Sequence, residues 1–358
     1  MTDAGHRDSS AQSSSRRLRP HAGQGARAPI GVFDSGIGGL TVVRQLLTHL
    51  PAEDVVYFGD TARVPYGIKS AETVTRFSRE NTQFLLRRGV KMVVVACNSA
   101  SAMALETLQR EYDLPILGVI DPGAAAAVAA TRSGKVGVIG TQATVGSRAY
   151  ERAIAKRDSR IEVLARACPL FVPLAEEGWI EGEVPEKVAR QYLAPLLEAG
   201  IDTLILGCTH YPILQATIQK VAGDGVTLID TADATVRQVA ERLAAEGLDA
   251  ERFDAGRLDA GRLDLGRLDA GRIDSERLDT GRPDAGRFRP RVEDDGDAGV
   301  PDSPGAAGQP AAVRRQPVRE YYVSDVPAEF RKVGERFLGH ALESLVWVDQ
   351  DDLPWYER

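Results

Sequence analysis

Cysteine is scarce. Three in 358 residues are too few for a disulfide framework, and none stands in the CxxC spacing of a zinc or redox site. A basic excess is also missing: 44 Lys and Arg stand against 51 Asp and Glu, for a net charge of −7, which argues against phosphate-backbone binding and hence against nucleic acid as a partner. Long apolar runs are absent, since none approaches the roughly 18 to 20 residues of a membrane span. The first 29 residues lack the apolar stretch of a secretory signal. These absences place the chain in the cytoplasm, with no membrane partner expected. The cysteines then have to be judged one at a time.

What is present suffices for a sizeable core, with 43% hydrophobic residues in a chain long enough for two or three ordinary domains. Residues 1–29, rich in Ser, Arg, Gly and Ala, read as a disordered leader. From residue 30, short apolar runs alternate with amphipathic stretches of helical length: PIGVF, DVVYF, KMVVVA, PILGV, KVGVIG, IEVLA, DTLILG and VTLID. Such Val/Ile/Leu runs predict strands buried on both faces, joined by helices in βαβ units, so the fold class is α/β with mostly parallel sheets.

Near Leu248 the pattern breaks into a five-residue repeat, seen in RFDAG, RLDAG, RLDLG and RPDAG, with Asp at every fifth position from Asp254 to Asp284. A leucine at fixed phase is compatible with a solenoid. Frequent Gly, Pro283 and the lack of a second apolar position per unit favour a solvated linker instead. The linker continues to about residue 318, after which REYYVSD, AEFRKVGERFLGHAL and SLVWV resume globular patterning. Residues 248–318 therefore read as a disordered insertion within a domain, and 349–358 as a tail.

Cys97 stands where the strand KMVVVA passes into the helix of NSASAMALETL, with Asn98, Ser99 or Ser101 available to cap it. Cys208 occupies the same kind of corner in DTLILGCTHYPILQATI, with Thr209 as a cap and Pro212 in the first turn. In open parallel sheets the carboxyl ends of the strands face ligand, so both thiols are expected in ligand space, where a helix N-terminus favours the thiolate. A cysteine at a strand end also packs as a small buried hydrophobe. Cys168, in ARACPLFVP, stays in that class, whereas the matched polar surroundings of Cys97 and Cys208 favour function. A zinc reading of Cys97, Cys208 and His210 lacks a fourth ligand.

Two thiols on opposed corners without redox spacing suit removal of a proton from one face of a carbon and delivery to the other. A free thiol is only a few per cent thiolate at neutral pH. Nearby electrostatic help is therefore required, and Asp34, at the end of the first strand, and His210 are best placed to supply it. His210 serves equally as a structural histidine. The turn FDSGIGGLTV lacks both GxGxxG and GxxxxGK[ST], so its glycines and Ser35 suit a small carboxylate better than a phosphate. Asp60, Tyr66 and Gly67 in YFGDTARVPYG, and Thr141 and Thr144 in GVIGTQATVGS, follow other strand ends, where turn and cap roles are equally open.

Taken together, GVFDSGIGGLTV, YFGDTARVPYG, ACNSASA, VGVIGTQAT, ACPLFVPLAEEG and LGCTHYP resemble the glutamate racemase family of the aspartate/glutamate racemase superfamily, over about 30–233 and again over 321–348. The resemblance implies two similar α/β lobes with the active site between them. Residues 30–120, 233–247 and 319–348 would form the first lobe and 121–232 the second. It implies interconversion of L- and D-glutamate without PLP or metal, supplying D-glutamate for peptidoglycan, in a family whose members are often dimers. Cys97 would deprotonate the D-isomer and Cys208 the L-isomer, assisted by Asp34 and His210 respectively. Substrate contacts would fall on Asp34, Ser35, Pro65, Tyr66, Gly67, Asn98, Ser99, Thr141, Thr144 and Thr209, while Asp60 and Glu176 match further acidic positions. Ser99 stands where the family usually has Thr, and Asp121 where it has Glu; the insertion is not a family feature.

Overall fold

Each of the eight apolar runs forms a strand. The computed structural model describes residues 25, 27–249, 316–325 and 330–348. The expected leader, the repeat insertion and the tail lie almost wholly outside these residues. The first part of the chain runs β1 (Ile30–Asp34), α1 (Leu40–His49), β2 (Val55–Gly59), α2 (Ala71–Arg87), β3 (Met92–Val95), α3 (Asn98–Glu111) and β4 (Ile116–Gly118). The second runs α4 (Ile120–Ala130), β5 (Lys135–Gly140), α5 (Gln142–Gly146), α6 (Ala149–Ala155), β6 (Glu162–Ala167), α7 (Phe171–Glu177), α8 (Glu183–Glu198), β7 (Thr203–Gly207), α9 (Gln215–Ala222), β8 (Thr227–Asp230) and α10 (Thr231–Glu246). After the insertion come β9 (Arg319–Val323), α11 (Phe330–Leu338) and β10 (Leu345–Trp347).

Two parallel sheets result. One has the strand order β10-β9-β2-β1-β3-β4 and the other β6-β5-β7-β8. The central strands β1, β2, β3 and β7 are buried along their whole length, because helices cover both faces, and this explains their unbroken apolar character. Edge strand β6 is only partly buried and correspondingly mixes Glu162 and Arg166 into its sequence. On α2, Val74, Phe77, Phe84 and Leu85 repeat at helical spacing and face the core, and the Ser70 hydroxyl caps the helix by accepting from the Thr73 N–H. α10 starts on the Asp230 carboxylate, which accepts from the Ala232 N–H, and stops at Gly247 in the left-handed region. It packs on α1 of the first lobe and α4 of the second, joining them.

Parallel pairing puts the carboxyl ends of the strands in each sheet on one edge. Asp34 pairs in register with Gly59 and Phe33 with Val95 in the first lobe; Gly140 pairs with Gly207 in the second. The residues that follow those ends build the site.

Candidate active site

A cavity of about 230 Å³ lies where the two carboxyl edges meet. Its wall brings together Ser35, Pro65, Tyr66, Gly67, Cys97, Asn98, Ser99, Thr141, Glu176, Cys208, Thr209 and His210 from the expected set. Three expected residues sit behind the wall instead. Asp34 is fully buried beneath Gly39 and Tyr57, with Oδ2 accepting from the Gly36 N–H at 3.0 Å. Asp60 lies under Tyr66, and Thr144 under Ser99 and Thr141. Cys168 is buried in the core away from the cavity, although Pro169 beside it lines the wall.

Cys97 follows β3 and is itself the N-cap residue of α3, with no side-chain capping bond. The hydroxyls expected to cap this helix are engaged elsewhere: Ser101 donates to the Val95 carbonyl at 2.8 Å and accepts from the Val119 N–H at 3.2 Å. The Cys97 thiol faces Ser35 Oγ at 3.6 Å. Burial, reinforced by the charge of Asp34, pushes it up to about 12. The expected thiolate at this helix terminus is therefore corrected to a neutral thiol: loss of solvation outweighs the terminus and the Ala100 and Ser35 hydrogen bonds.

Cys208 follows β7, and its corner differs in one detail from the expectation. The next segment is a one-turn 3₁₀ helix, Tyr211–Leu214, preceded by His210, and Thr209 makes no capping bond. Pro212 occupies the first turn as the sequence suggested. The Cys208 sulfur lies 3.9 Å from His210 Nδ1, while His210 Nε2 is 3.0 Å from Glu176 Oε1. Burial alone would depress this imidazole, but its hydrogen bonds and charge interactions with Cys208 and Glu176 push it up to about 10. The raised imidazole favours its protonated form, set between the Cys208 sulfur and the Glu176 carboxylate. The His210 ring also meets Phe337 edge-on, with centroids 5.1 Å apart.

The lobes touch closely around the cavity. Ser99 Oγ is 2.9 Å from Thr141 Oγ1, the Thr41 hydroxyl donates to the Thr209 carbonyl at 3.1 Å, and the Tyr150 hydroxyl donates to Asn98 Oδ1 at 2.7 Å. Gly67 is required at one such contact, since a Cβ there would lie 2.8 Å from that of Thr141. Behind Tyr66 lies a network that the sequence did not reveal. Tyr66 donates to Asp60, Arg63 bridges Asp60, Glu80 and Asn81, and the Ser324 hydroxyl, from beyond the insertion, donates to Asp60 Oδ1 at 3.0 Å. The apolar wall residues Ile37, Val64, Ile68, Pro169, Val172 and Pro173, and polar Gln142, were also missed. For Pro169, Gln142 and Ile37 the signal was their position just after β6, β5 and β1; Val64, Ile68, Val172 and Pro173 follow from no strand-end rule. Among the described residues, no group of three or more His, Cys, Asp or Glu side chains is arranged to hold a metal ion. No described helix is long and apolar enough to cross a membrane.

The profile of the family described as Asp/Glu/hydantoin racemase matches residues 30–239. The chain is 47% identical over 319 residues to the glutamate racemase of Geobacter metallireducens, spanning 89% of this chain and 96% of that protein. Among solved structures it resembles the glutamate racemase of Francisella tularensis subsp. tularensis in complex with D-glutamate, with 34% identity, a TM-score of 0.69 and coverage of 91% of this chain and 99% of that one. It also resembles a glutamate racemase isoform of Bacillus anthracis, with 32% identity, a TM-score of 0.71 and coverage of 91% and 98%.

Proposed function

The chain belongs to the Asp/Glu/hydantoin racemase family and is an amino-acid racemase; from that premise we propose that it interconverts L- and D-glutamate by proton transfer through Cys97 and Cys208. One observation carries the reading: two buried thiols from equivalent strand-to-helix corners line opposite lobes of one cavity. In the L-to-D direction, the Cys208 thiolate takes the α-proton and the Cα–H electron pair passes into the carboxylate, leaving a planar carbon. The neutral Cys97 thiol then gives its proton to the other face, and the electron pair returns to form the new C–H bond. For the next turnover Cys97 regains a proton and Cys208 loses one through solvent. The D-to-L direction runs the same steps with the roles exchanged.

The surroundings suit these roles. His210, with Nδ1 at 3.9 Å from the Cys208 sulfur, holds a proton close by, while Asp34 bears on Cys97 through its charge. General base catalysis alone supplies about 10² to 10⁴-fold. The rest falls to the hydrogen-bond donors of the wall, namely Ser35, Asn98, Ser99, Thr141 and Thr209, which receive the growing negative charge on the substrate carboxylate. Neither step calls for PLP or a metal. The D-glutamate formed is a building block of peptidoglycan, and supplying it is the role proposed for the enzyme.

Circular dichroism of L-glutamate incubated with the purified protein and no added cofactor tests the reading. The signal should decay to zero, and Cys97→Ala and Cys208→Ala should each slow the decay by at least about 10³-fold with the fold intact. Near wild-type decay in either variant, or faster racemization of aspartate than of glutamate, would overturn it.

A further inference from the structure

Asn98 shows an asymmetry that the mechanism above leaves unexplained. Its Nδ2 is buried and has no hydrogen-bond partner among the described residues, although the side chain belongs to the cavity wall. Its Oδ1, in contrast, accepts from the Tyr150 hydroxyl at 2.7 Å. The two ends of a carboxamide are nearly the same size, so a half-turn exchanges donor for acceptor at little steric cost. A hydroxyl fixed on Oδ1 removes that ambiguity.

Tyr150 is well placed to do this. It stands on α6 in the core of the second lobe, whereas Asn98 opens α3 in the first. The ring is 1% exposed, and glycines keep it in place: a Cβ on Gly207 would come within 3.1 Å of Tyr150 Cε2, and one on Gly123 within 3.4 Å of Cε1. Burial pushes the phenol above its usual range, so the hydroxyl remains a donor. An Asn98 oxygen held by that donor leaves two amide hydrogens without a protein acceptor in a cavity that takes a dicarboxylate.

We propose that Tyr150 is a positioning residue of the substrate site, whose hydroxyl locks the Asn98 amide across the lobe boundary with Nδ2 presented as the donor to a substrate carboxylate. This rests on the glutamate reading of the cavity. Tyr150 touches no substrate; it acts through Asn98, and only when the two lobes are in contact.

The test is a double-mutant cycle of Tyr150→Phe and Asn98→Ala. It is read by titration calorimetry with glutarate, a diacid that cannot be racemized, and by kcat and KM for both glutamate isomers. Tyr150→Phe keeps the ring and should leave the melting temperature near wild type. It should weaken glutarate about five- to tenfold and raise KM similarly, with a smaller change in kcat. In the Asn98→Ala background the same change should have almost no effect. An equal loss in both backgrounds, or no loss in the wild-type background, would overturn the proposal. If Asn98→Ala does not fold, Asn98→Ser supplies that corner of the cycle. Failure of the glutamate reading is separate: the wild type would not racemize glutamate, whatever the calorimetric coupling.

Discussion

Cys97 is kept as a thiol by its surroundings, with burial foremost and the Asp34 charge adding to it, up to about 12. Such a group is almost wholly protonated at pH 7, so Cys97 stands as a proton donor. Binding of the substrate has to change its environment before it can act as a base. The Cys208 side differs because His210 is raised to about 10 against an ordinary 6.5. A histidine raised in the folded state stabilises it fully below about 6.5 and loses that contribution as pH rises through about 10. The melting-temperature advantage of the wild type over His210→Asn should therefore be steady below pH 6.5 and shrink steadily toward pH 10. A difference that stays flat over that range would show that the Glu176 and Cys208 contacts do not hold the proton.

At the scale of elements, the turn between β1 and α1 is pressed against the second corner. A Cβ on Gly38 would lie 2.2 Å from Thr209 Oγ1 and 2.5 Å from His210 Nδ1, distances that no side chain tolerates without displacing them. Displacements of about 1 Å at a site can cost about 10²-fold. Gly38→Ala should accordingly keep both sheets, as seen by far-ultraviolet dichroism, and lose about 100-fold in kcat/KM for both isomers; a folded variant with wild-type kcat/KM would contradict the assigned contact. The strands were legible in the sequence because burial on both faces leaves short unbroken Val/Ile/Leu runs, and parallel pairing then fixed which end faces ligand. That rule gives the edge but not the depth. Asp34, the last residue of β1, points away from the wall, while Cys97 and Cys208, just beyond their strands, face it. The capping expected of Ser101 and Thr209 failed because other partners claimed those groups: the Val95 carbonyl for one, and the ring of the adjacent His210 for the other. Tyr150 and Ser324 carried no local signal, since each acts on a residue of another element, and Arg63 reaches beyond nearby Asp60 to Glu80 and Asn81 on α2.

In the whole molecule, the chain leaves the first lobe and returns to it at one place. Lys91 Nζ donates to the Leu248 carbonyl at 2.6 Å and pairs with Glu53 at 2.5 Å, while neighbouring Asp54 accepts from the Val318 N–H at 2.6 Å. Both ends of the insertion are thus tied to the 53–54 turn, and closing a short loop between such ends costs little. Replacing residues 250–315 with a short Gly/Ser linker should leave kcat within about twofold and the melting temperature within a few degrees; loss of folding or activity would show that the segment supports the lobes. The lobes in turn put one thiol on each side of one cavity, and this is where the account is most exposed. The direct measurement is racemization of L-glutamate in deuterium oxide, stopped at low conversion, with the α-position of each isomer read by mass spectrometry. The account predicts D-glutamate carrying solvent deuterium and recovered L-glutamate still carrying protium. D-glutamate that retains the original α-proton would mean that a single base serves both faces, and would contradict it.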